Sequence, residues 1–356
     1  MPHLFVDISS HGFGHFAQTA PVLNHLAELL PDLHLTVRSG LPLSKLQKRI
    51  RPAFKHIHEA SDFGFAMIDA LRIDHAASRS AYLAAHRAFP ERVAQEAQLF
   101  RSLAIDAVFS NVAYLPLAGA AQAGLPAASM CSLNWAELFD HFYGTEDWAA
   151  PIHAEILSAY NTAVFMRLTP AMPMAGLQHL IDIPPIAAQG NNQRASLRKK
   201  VDAGETARVV LVALGGIPSR LPIERWPATP DIRWLVPTDW QPDGRQFYAI
   251  ESSGLHFTDL LRSVDAIVTK PGYGTFTEAV CNDTPVLYQR REDWPEQECL
   301  IDWLHACGRC HQISAEDLLS GQLDAALTAC IESQRPTPPA FDGHIPAAQF
   351  LAGMLA

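Results

Sequence analysis

The chain has 356 residues, 48% of them hydrophobic, and carries a formal charge of −10 from 27 basic and 37 acidic side chains. This size allows about two domains with ordinary cores, and the acidic balance argues against nucleic acid and anionic membranes as partners of the whole surface. No apolar run reaches the ~18 residues of a membrane span, and the N-terminus has no basic start or long apolar core. We therefore expect a soluble cytoplasmic protein without a membrane span, whose six cysteines are reduced thiols.

Short β-branched and apolar segments alternate with longer helical patterns along the chain. Between residues 4 and 169, the predicted strands are LFVDIS, LHLTVRS, DAVFSN, PAASMCS and AVFMRLT. A second series runs from residue 208 to residue 313 and comprises RVVLVALGG, IRWLVP, DAIVTKPG, PVLYQRR and CHQI. Because such alternation is typical of parallel sheets with helices on both faces, the predicted fold class is α/β, with two units in tandem.

A proline-rich segment, residues 169–193, separates the two series and lacks a sustained hydrophobic period. We interpret it as an interdomain connection with the boundary near residue 185, which gives predicted domains of residues 1–184 and 185–340. A second proline-rich stretch precedes the apolar AAQFLAGMLA at the C-terminus. This pattern predicts a last helix, within residues 341–356, that docks on the body.

The segment ISSHGFGHFA (8–17) follows the first predicted strand, at the sheet edge where doubly wound folds bind ligands. Gly12 and Gly14 permit a tight turn and a close approach of backbone N–H groups to an anion, and the following helix directs its positive end at the same place. His11 and His15 bracket the glycines. Because imidazole accepts a proton near neutral pH, His15 is the leading candidate for a general base and His11 is a secondary one.

Other interpretations of this first glycine turn stay open. The spacing from Gly12 to Ala17 also fits a dinucleotide fingerprint, and Arg38 at the end of the second strand is suited to the 2′-phosphate of NADP. His15 is also suited to a polar ligand contact or to a structural role at the helix end. Zinc binding by His11 and His15 is disfavoured, since glycines lie between them and no HExxH-type glutamate is present.

The segment DAIVTKPGYGTFTEAV (265–280) contains a second glycine turn, after which TFTEAV is expected to open a helix. One interpretation is structural, because Thr275 and Glu278 have the S/T-x-x-E spacing of a capping box. The other interpretation is functional. A helix start offers N–H donors and a hydroxyl to a diphosphate, Lys270 adds positive charge, and Glu278 accepts hydrogen bonds from a ribose.

Further polar groups and glycines follow neighbouring strands of the second series. The loop at residues 290–297 offers Arg290, Glu296 and Gln297 to a sugar's hydroxyls or a phosphate, although a solvated charged loop is the alternative. Gly215 and Gly216 follow VVLVAL, again at a strand end. If the two units face each other, these turns line an interdomain cleft that binds a ligand composed of two parts.

CGRCH (307–311) matches the C-x-x-C-H motif of covalent haem attachment. That chemistry belongs to exported proteins, and an apolar strand is due at this position. We interpret both cysteines as core residues rather than as ligands of zinc or haem.

Two of the quoted segments carry a family resemblance. HGFGHFAQTAPVLNHL (11–26) and KPGYGTFTEAVCNDTPVLYQRR (270–291) resemble the GT-B glycosyltransferases, in particular the branch related to the N-acetylglucosaminyl transferase of peptidoglycan synthesis. The chain is more similar still to the glycosyltransferase-like N-terminal region of plant arabinokinases. Residues 104–135 and 181–200 extend the likeness, so that it covers nearly the whole chain.

The resemblance implies two facing Rossmann-like domains with an interdomain cleft, the N-terminal one on the acceptor side and the C-terminal one binding the nucleotide sugar. It implies no required metal and no other cofactor, and the sequence has no DxD pair. The site residues that the resemblance implies are His15 as the base, Gly272, Gly274 and Thr275 near the diphosphate, Glu278 at the donor ribose, His256 and Phe257 at the donor base, and Gln297 at the sugar.

Some residues depart from the family pattern. Ser10 replaces a glycine of the arabinokinase-like sequences, Pro271 stiffens the second turn, and Asn111 replaces an aspartate that would partner a catalytic histidine. The kinase module of arabinokinases is not matched, so sugar phosphorylation is not implied. We therefore expect an inverting, metal-independent transfer of a sugar from a nucleoside diphosphate sugar to an unidentified acceptor hydroxyl. A nucleotide-sugar hydrolase or 2-epimerase and a non-catalytic sugar-nucleotide-binding regulator are the alternatives.

Overall fold

The computed structural model describes residues 1–216 and 219–356, and the chain divides into two compact units. The first unit comprises Met1–Ile68, Ile73–Ile186 and Phe341–Ala356, and the second comprises Asp69–Arg72 and Ala187–Ala340. The main division falls between Ile186 and Ala187. The short segment near residue 70 belongs to the second unit, where Ala70 is fully buried in the core, and no local pattern had indicated this.

The first unit is built on a parallel sheet of seven strands. They are β1 (His3–Ile8), β2 (His34–Arg38), β3 (Lys55–Ile57), β4 (Ala107–Asn111), β5 (Ala127–Cys131), β6 (Val164–Leu168) and β7 (Leu180–Ile183). Their order in the sheet is β3-β2-β1-β4-β5-β6-β7, so the strand order reverses between β1 and β4. The inner residues Leu4, Phe5 and Val6 are fully buried, as expected for a parallel strand covered on both faces.

The second unit is built on a parallel sheet of six strands. They are β8 (Arg208–Val212), β9 (Ile232–Val236), β10 (Phe247–Ala249), β11 (Ala266–Thr269), β12 (Val286–Tyr288) and β13 (Cys310–Gln312). Their order is β10-β9-β8-β11-β12-β13, so the reversal falls between β8 and β11. Trp226, Trp234 and Trp240 are buried in the core on which this sheet rests. The two sheets confirm the predicted α/β class with two Rossmann-like units.

Helices join the strands in both units. The helices between strands of the first unit are α1 (Gly14–Leu29), α2 (Leu43–Leu46), α3 (His75–Arg87), α4 (Phe89–Ser102), α5 (Leu115–Ala123), α6 (Trp135–Tyr143) and α7 (Ala149–Tyr160). The later helices are α8 (Arg194–Lys200), α9 (Phe257–Ser263), α10 (Tyr273–Cys281), α11 (Glu296–Cys307), α12 (Ala315–Ser320), α13 (Asp324–Glu332) and α14 (His344–Met354). Short 3₁₀ turns cover Ile223–Arg225, Thr238–Trp240 and Glu251–Ser253. The C-terminal helix α14 packs against α1 of the first unit.

The proline-rich segment 169–193 is not only a connection, and its interpretation as such was wrong in part. It contains β7, which pairs with β6 at the edge of the first sheet. Two residues of β7, Ile181 and Asp182, are exposed, so the strand lacks the continuous apolar run of a buried strand. The proline pair at positions 184 and 185 follows the strand and ends it.

Two further features expected from the sequence can be compared with the structure: the position of the CGRCH motif and the lack of a membrane span. In CGRCH, Cys307 is the last residue of α11 and Cys310 is the first residue of β13. No helix within the two described ranges combines the length and the apolar character that crossing a bilayer requires.

Candidate functional site

The first glycine turn lies at the point where the strand order of the first sheet reverses. There β1 and β4 are parallel neighbours, with Ile8 opposite Asn111. Gly12 has a φ of +93°, which residues with a Cβ rarely adopt, and the chain turns there into α1, which begins at Gly14. A Cβ added at Gly12 or Gly14 would meet nothing within 4 Å. The turn is therefore open on its outer side, at the edge where doubly wound sheets bind ligands.

His15 lies in the first turn of α1 and is 6% exposed. Its Nδ1 is 2.9 Å from Asn111 Oδ1, and Asn111 Nδ2 donates to Gln18 Oε1, also at 2.9 Å. Gln18 Nε2 in turn donates to Ser132 Oγ at 3.2 Å. In the arrangement in which Nδ1–H donates to the Asn111 amide oxygen, Nε2 is the basic nitrogen of neutral His15, and Cys131 Sγ lies 3.5 Å from the same Nδ1. This arrangement provides the tautomer that a general base needs, with an amide at Nδ1 in place of a carboxylate.

His11 belongs to a second group of side chains, arranged around Trp135. The ring centroids of His11 and Trp135 are 5.4 Å apart, and Trp135 Nε1 donates to Asp62 Oδ2 at 2.7 Å. Ser9 Oγ donates to Asp62 Oδ1 at 2.9 Å and accepts from the backbone N–H of His11 at 3.3 Å. Burial and the nearby charge of Asp7 raise the pKa of Asp62 to about 7. Asp62 therefore supports the first glycine turn, although no motif in the sequence pointed to it.

Arg38 is not available to a phosphate, so its interpretation as a binder of the NADP 2′-phosphate was wrong. The side chain is 2% exposed on β2. Its Nε donates to Asp7 at 2.6 Å, and its two terminal nitrogens donate to Glu96 at 2.6 and 2.7 Å. Burial alone would lower the pKa of Arg38, but the two carboxylates raise it above its ordinary value. The guanidinium is therefore an internal counter-ion for two acidic side chains.

Replacement of Arg38 by methionine should lower the free energy of unfolding of the first unit by about 3–5 kcal/mol, because Asp7 and Glu96 would stay buried without a counter-ion. Urea denaturation followed by tryptophan fluorescence measures the change. The matched exposed variant Arg51→Met, which breaks a surface pair with Glu28, should cost less than about 1 kcal/mol. Equal losses in the two variants would contradict the role assigned to Arg38.

In the second unit, two glycine turns meet where the strand order reverses between β8 and β11. Gly215 has a φ of +93°, and a Cβ added there would lie 3.7 Å from Lys270 Nζ. A Cβ added at Gly272 would lie 3.9 Å from the same atom. Burial, and then repulsion by Arg291, lower the pKa of Lys270 to about 7 against the attraction of Glu296. The Lys270 ammonium lies between two backbone turns, and burial destabilises its charge. A bound anion would stabilise that charge, so the position is suited to anion binding.

Helix α10 begins at Tyr273, two residues before the TFTEAV segment that was expected to open it. Gly272, in an extended conformation, is the N-cap residue, and no side chain caps the helix. Thr275 is therefore the third residue of the helix, and the capping-box interpretation of Thr275 and Glu278 was wrong. Glu278 is 3% exposed on this helix, and Gly274 is buried in its first turn.

The polar loop after β12 is organised around Arg291 rather than Arg290. Arg290 forms an ion pair with Glu298, whereas Arg291 is 6% exposed and its guanidinium lies 3.8 Å from the ring centroid of Trp294. Gln297 fixes this loop, because its Oε1 accepts from the backbone N–H of Arg291 at 2.9 Å and its Nε2 donates to the backbone carbonyl at 3.2 Å. The sequence showed two adjacent arginines in the loop, and only the packing distinguishes them.

The remaining predicted residues lie on the same unit. Glu296 is 6% exposed and accepts a hydrogen bond from Trp294 Nε1 at 3.0 Å. His256 is exposed at the N-cap of α9 and Phe257 is the first residue of that helix. A helix that joins parallel strands begins at the carboxyl edge of the sheet, so both residues lie at the edge that carries Lys270. Gly216 directly follows Gly215 and is half-buried.

Comparison with known sequences gives a distant match to a plant enzyme. No family model matches the chain. The chain is 26% identical to the L-arabinokinase of Arabidopsis thaliana over 361 residues, which cover 98% of this chain but 33% of that enzyme. This chain therefore spans about a third of the length of that relative.

Solved structures match the chain almost from end to end. The glycotransferase of kitacinnamycin is 14% identical, with a TM-score of 0.62 and 100% of both chains covered. The calicheamicin glycosyltransferase is 17% identical, with a TM-score of 0.61 and 100% and 98% covered. A UDP-N-acetylglucosamine 2-epimerase is 10% identical, with a TM-score of 0.54 and 96% and 93% covered. The likeness is one of fold: two Rossmann-like α/β units in tandem, as in the two-domain GT-B fold.

Proposed function

We propose that this protein transfers a sugar from a nucleoside diphosphate sugar to an acceptor hydroxyl, with inversion and without a metal. The observation that carries the proposal is the His15 network, which leaves Nε2 as a proton acceptor at the ligand-binding edge of the first sheet. The fold supports it, because two of its solved neighbours are named as glycosyltransferases.

In the proposed reaction, His15 Nε2 accepts the proton of the acceptor hydroxyl as the hydroxyl oxygen attacks the anomeric carbon. The bond from that carbon to the diphosphate breaks, and its electron pair leaves on the diphosphate oxygen. Lys270 and the N–H groups at the start of α10 stabilise the departing charge. These groups supply the positive charge that a metal would otherwise supply, and a single displacement inverts the anomeric carbon.

We assign the rest of the donor site to the second unit. Glu278 accepts hydrogen bonds from the ribose, and His256 with Phe257 contacts the base. Gly215, Gly216, Gly272, Gly274 and Thr275 surround the diphosphate, and Glu296 with Gln297 orders the loop at the sugar. In the first unit, Gly12 and Gly14 let backbone N–H groups approach an anionic part of the donor, and His11 is the secondary candidate for the base.

A second candidate function uses the same fold. A UDP-N-acetylglucosamine 2-epimerase is among the solved neighbours, which favours a 2-epimerase or a nucleotide-sugar hydrolase as the alternative. In either reaction, the donor would react without a separate acceptor. A regulator that binds the sugar nucleotide without turnover is the non-catalytic alternative, since the side chain that faces His15 Nδ1 is the neutral amide of Asn111.

A thermal-shift panel of nucleoside diphosphates and their sugars tests whether the protein binds such donors. A ligand present at about 100 times its Kd should raise the melting temperature by roughly 5–10 °C, because it binds only the folded form. Adenosine monophosphate and free hexoses serve as controls that lack the diphosphate-sugar linkage. A panel in which no sugar nucleotide shifts the melting temperature would contradict the proposal.

Product analysis with the bound donor then separates the reactions. A transferase releases nucleoside diphosphate only when a hydroxyl acceptor is present, and the new glycoside carries the inverted linkage. A hydrolase releases it in buffer alone, and an epimerase changes the configuration of the sugar. Binding without any of these products identifies the regulator.

A further inference from the structure

The Arg291 guanidinium is a buried cation that stacks on Trp294 but lacks a hydrogen-bonding partner among the residues that the structure describes. It is 6% exposed, and across residues 1–216 and 219–356 it makes no hydrogen bond or ion pair with another side chain or with the backbone. Its Nε and Nη2 atoms are both buried and unsatisfied. Buried polar groups in native proteins nearly always have partners, and a buried charge without one is costly. Such a group points to a ligand that supplies the missing acceptor.

The two unsatisfied atoms define the shape of that acceptor. Nε and Nη2 lie on the same side of the planar guanidinium and donate in parallel, which matches the two oxygens of one carboxylate or phosphate. The face of Trp294 holds the plane at 3.8 Å from its ring centroid, and Gln297 holds the backbone of Arg291 by two hydrogen bonds. The pair of donors Nε and Nη2, here called the fork, is therefore held in position for an oxyanion that binds through two oxygens. Little entropy is lost when such an oxyanion binds.

The surroundings of Arg291 add a second cation, Lys270, and two carboxylates, Glu296 and Asp69. Arg291 lies close enough to Lys270 to lower the pKa of that ammonium, and the side chain that offsets both charges is Glu296. Burial, opposed by the attraction of Glu296 and Asp69, lowers the pKa of Arg291 itself to about 10. Lys270 and Arg291 are thus two cations close to one another, although the loop itself also carries Glu292, Asp293, Glu296 and Glu298. These carboxylates leave Nε and Nη2 of Arg291 unsatisfied, so an anionic group of a ligand can still pair with them.

We propose that Arg291 binds a carboxylate on the sugar of the donor, so that the donor is a nucleoside diphosphate hexuronate. This inference rests on the proposed function. We assign the diphosphate to Lys270 and the start of α10, which follow β11. Arg291 follows the neighbouring strand β12, in the same loop as Glu296 and Gln297, which we assign to the sugar. In a sugar nucleotide, oxidation of C6 of the sugar to a carboxylate supplies a second anionic group beside the diphosphate.

Titration calorimetry of the full chain tests this assignment with two matched donor pairs. The pairs are UDP-glucose with UDP-glucuronate and UDP-galactose with UDP-galacturonate, and UDP alone is the reference. Wild-type protein should bind at least one uronate about 10–100 times more tightly than its neutral parent, which is the worth of a charge-assisted hydrogen-bonded pair. Arg291→Gln should abolish this preference and change the Kd for UDP by less than about twofold. Arg291→Lys should keep only part of the preference, because it retains the charge and loses the fork.

Controls separate a loss of binding from a loss of folding. Arg335→Gln makes the same charge change at an exposed ion pair with Asp283 in the same unit, and it should behave as wild type. Arg291→Gln should melt no lower than wild type, because it removes an unpaired buried charge.

Three outcomes would overturn the inference. If wild-type protein binds UDP but favours neither uronate, the donor sugar is not anionic, and the proposed function stands. If Arg291→Gln weakens UDP and the uronates by the same factor, Arg291 serves the diphosphate. If wild-type protein binds none of these nucleotides, the hexuronate assignment fails, and the thermal-shift panel of other nucleoside diphosphate sugars decides separately whether the proposed function stands.

Discussion

Replacing His15 by alanine is expected to lower kcat for sugar transfer by ~10²–10⁴-fold, the usual contribution of a positioned general base. The imidazole acts on the proton of the acceptor, whereas we assign the donor to residues of the second unit. The Kd for the donor should therefore stay within about twofold of wild type. Turnover is followed as release of nucleoside diphosphate in the presence of acceptor, and donor binding is followed by calorimetry.

Two variants of the same turn and helix serve as comparisons for His15→Ala. His25 lies on the same helix α1, and its ring contacts His344 at a centroid distance of 5.7 Å instead of the Asn111 network. His25→Ala should leave turnover unchanged. His11→Ala should have a smaller effect than His15→Ala, because its ring packs on Trp135. Normal turnover by His15→Ala would remove the base from the proposed mechanism.

Donor affinity should fall as the pH rises through about 7, and Lys270 should be the cause. Burial and the repulsion by Arg291 lower the pKa of Lys270 to about 7, so the ammonium is charged below this pH and increasingly neutral above it. Only the charged form attracts the diphosphate, so the Kd should increase by up to about tenfold per pH unit above 7. Calorimetric titration of a UDP-sugar between pH 6 and pH 9 measures this dependence.

The Lys270→Met variant separates the charge from the fold. It should bind the donor about 10–100 times more weakly than wild type at pH 6, and its Kd should no longer depend on pH in this range. The same variant should melt at a higher temperature than the wild-type protein without ligand, because a destabilised ammonium has been removed. Lys199→Met on the exposed face of α8 is the matched control and should alter neither property. A pH dependence that persists in Lys270→Met would assign the titration to another group.

The inner strands of both sheets could be predicted from the sequence because parallel strands are buried on both faces. Segments such as LFVDIS and RVVLVAL read as continuous apolar runs, and β1 and β8 were found there. The edge strands β3, β7 and β10 were missed. They have three or four residues each, and β3 and β7 carry exposed charged side chains, so no apolar run marks them. β13 is an exception, because the sequence predicted this edge strand although two of its three residues are exposed. Local pattern thus marks the buried inner strands most readily.

The glycine turns could also be located from sequence, since a glycine within a few residues of the end of a buried strand marks a turn. Gly12 and Gly215 indeed take the positive φ that such turns require. The side-chain partners of these turns could not be located in the same way. His15 and Asn111 are 96 positions apart, and Lys270 approaches Gly215 from a different strand.

The sequence by itself therefore determined the α/β class, the inner strands and the turns that carry the candidate site. Only the tertiary structure decided that Asn111 orients His15, that Asp62 supports the first turn, and that Arg38 is an internal counter-ion. It also decided that Arg291, and not Arg290, is the buried cation of its loop. The physical reason is that the crossover connections of a doubly wound sheet bring distant strand ends together. Burial at those ends then sets which charges are paired, and neither effect is encoded within a short stretch of chain.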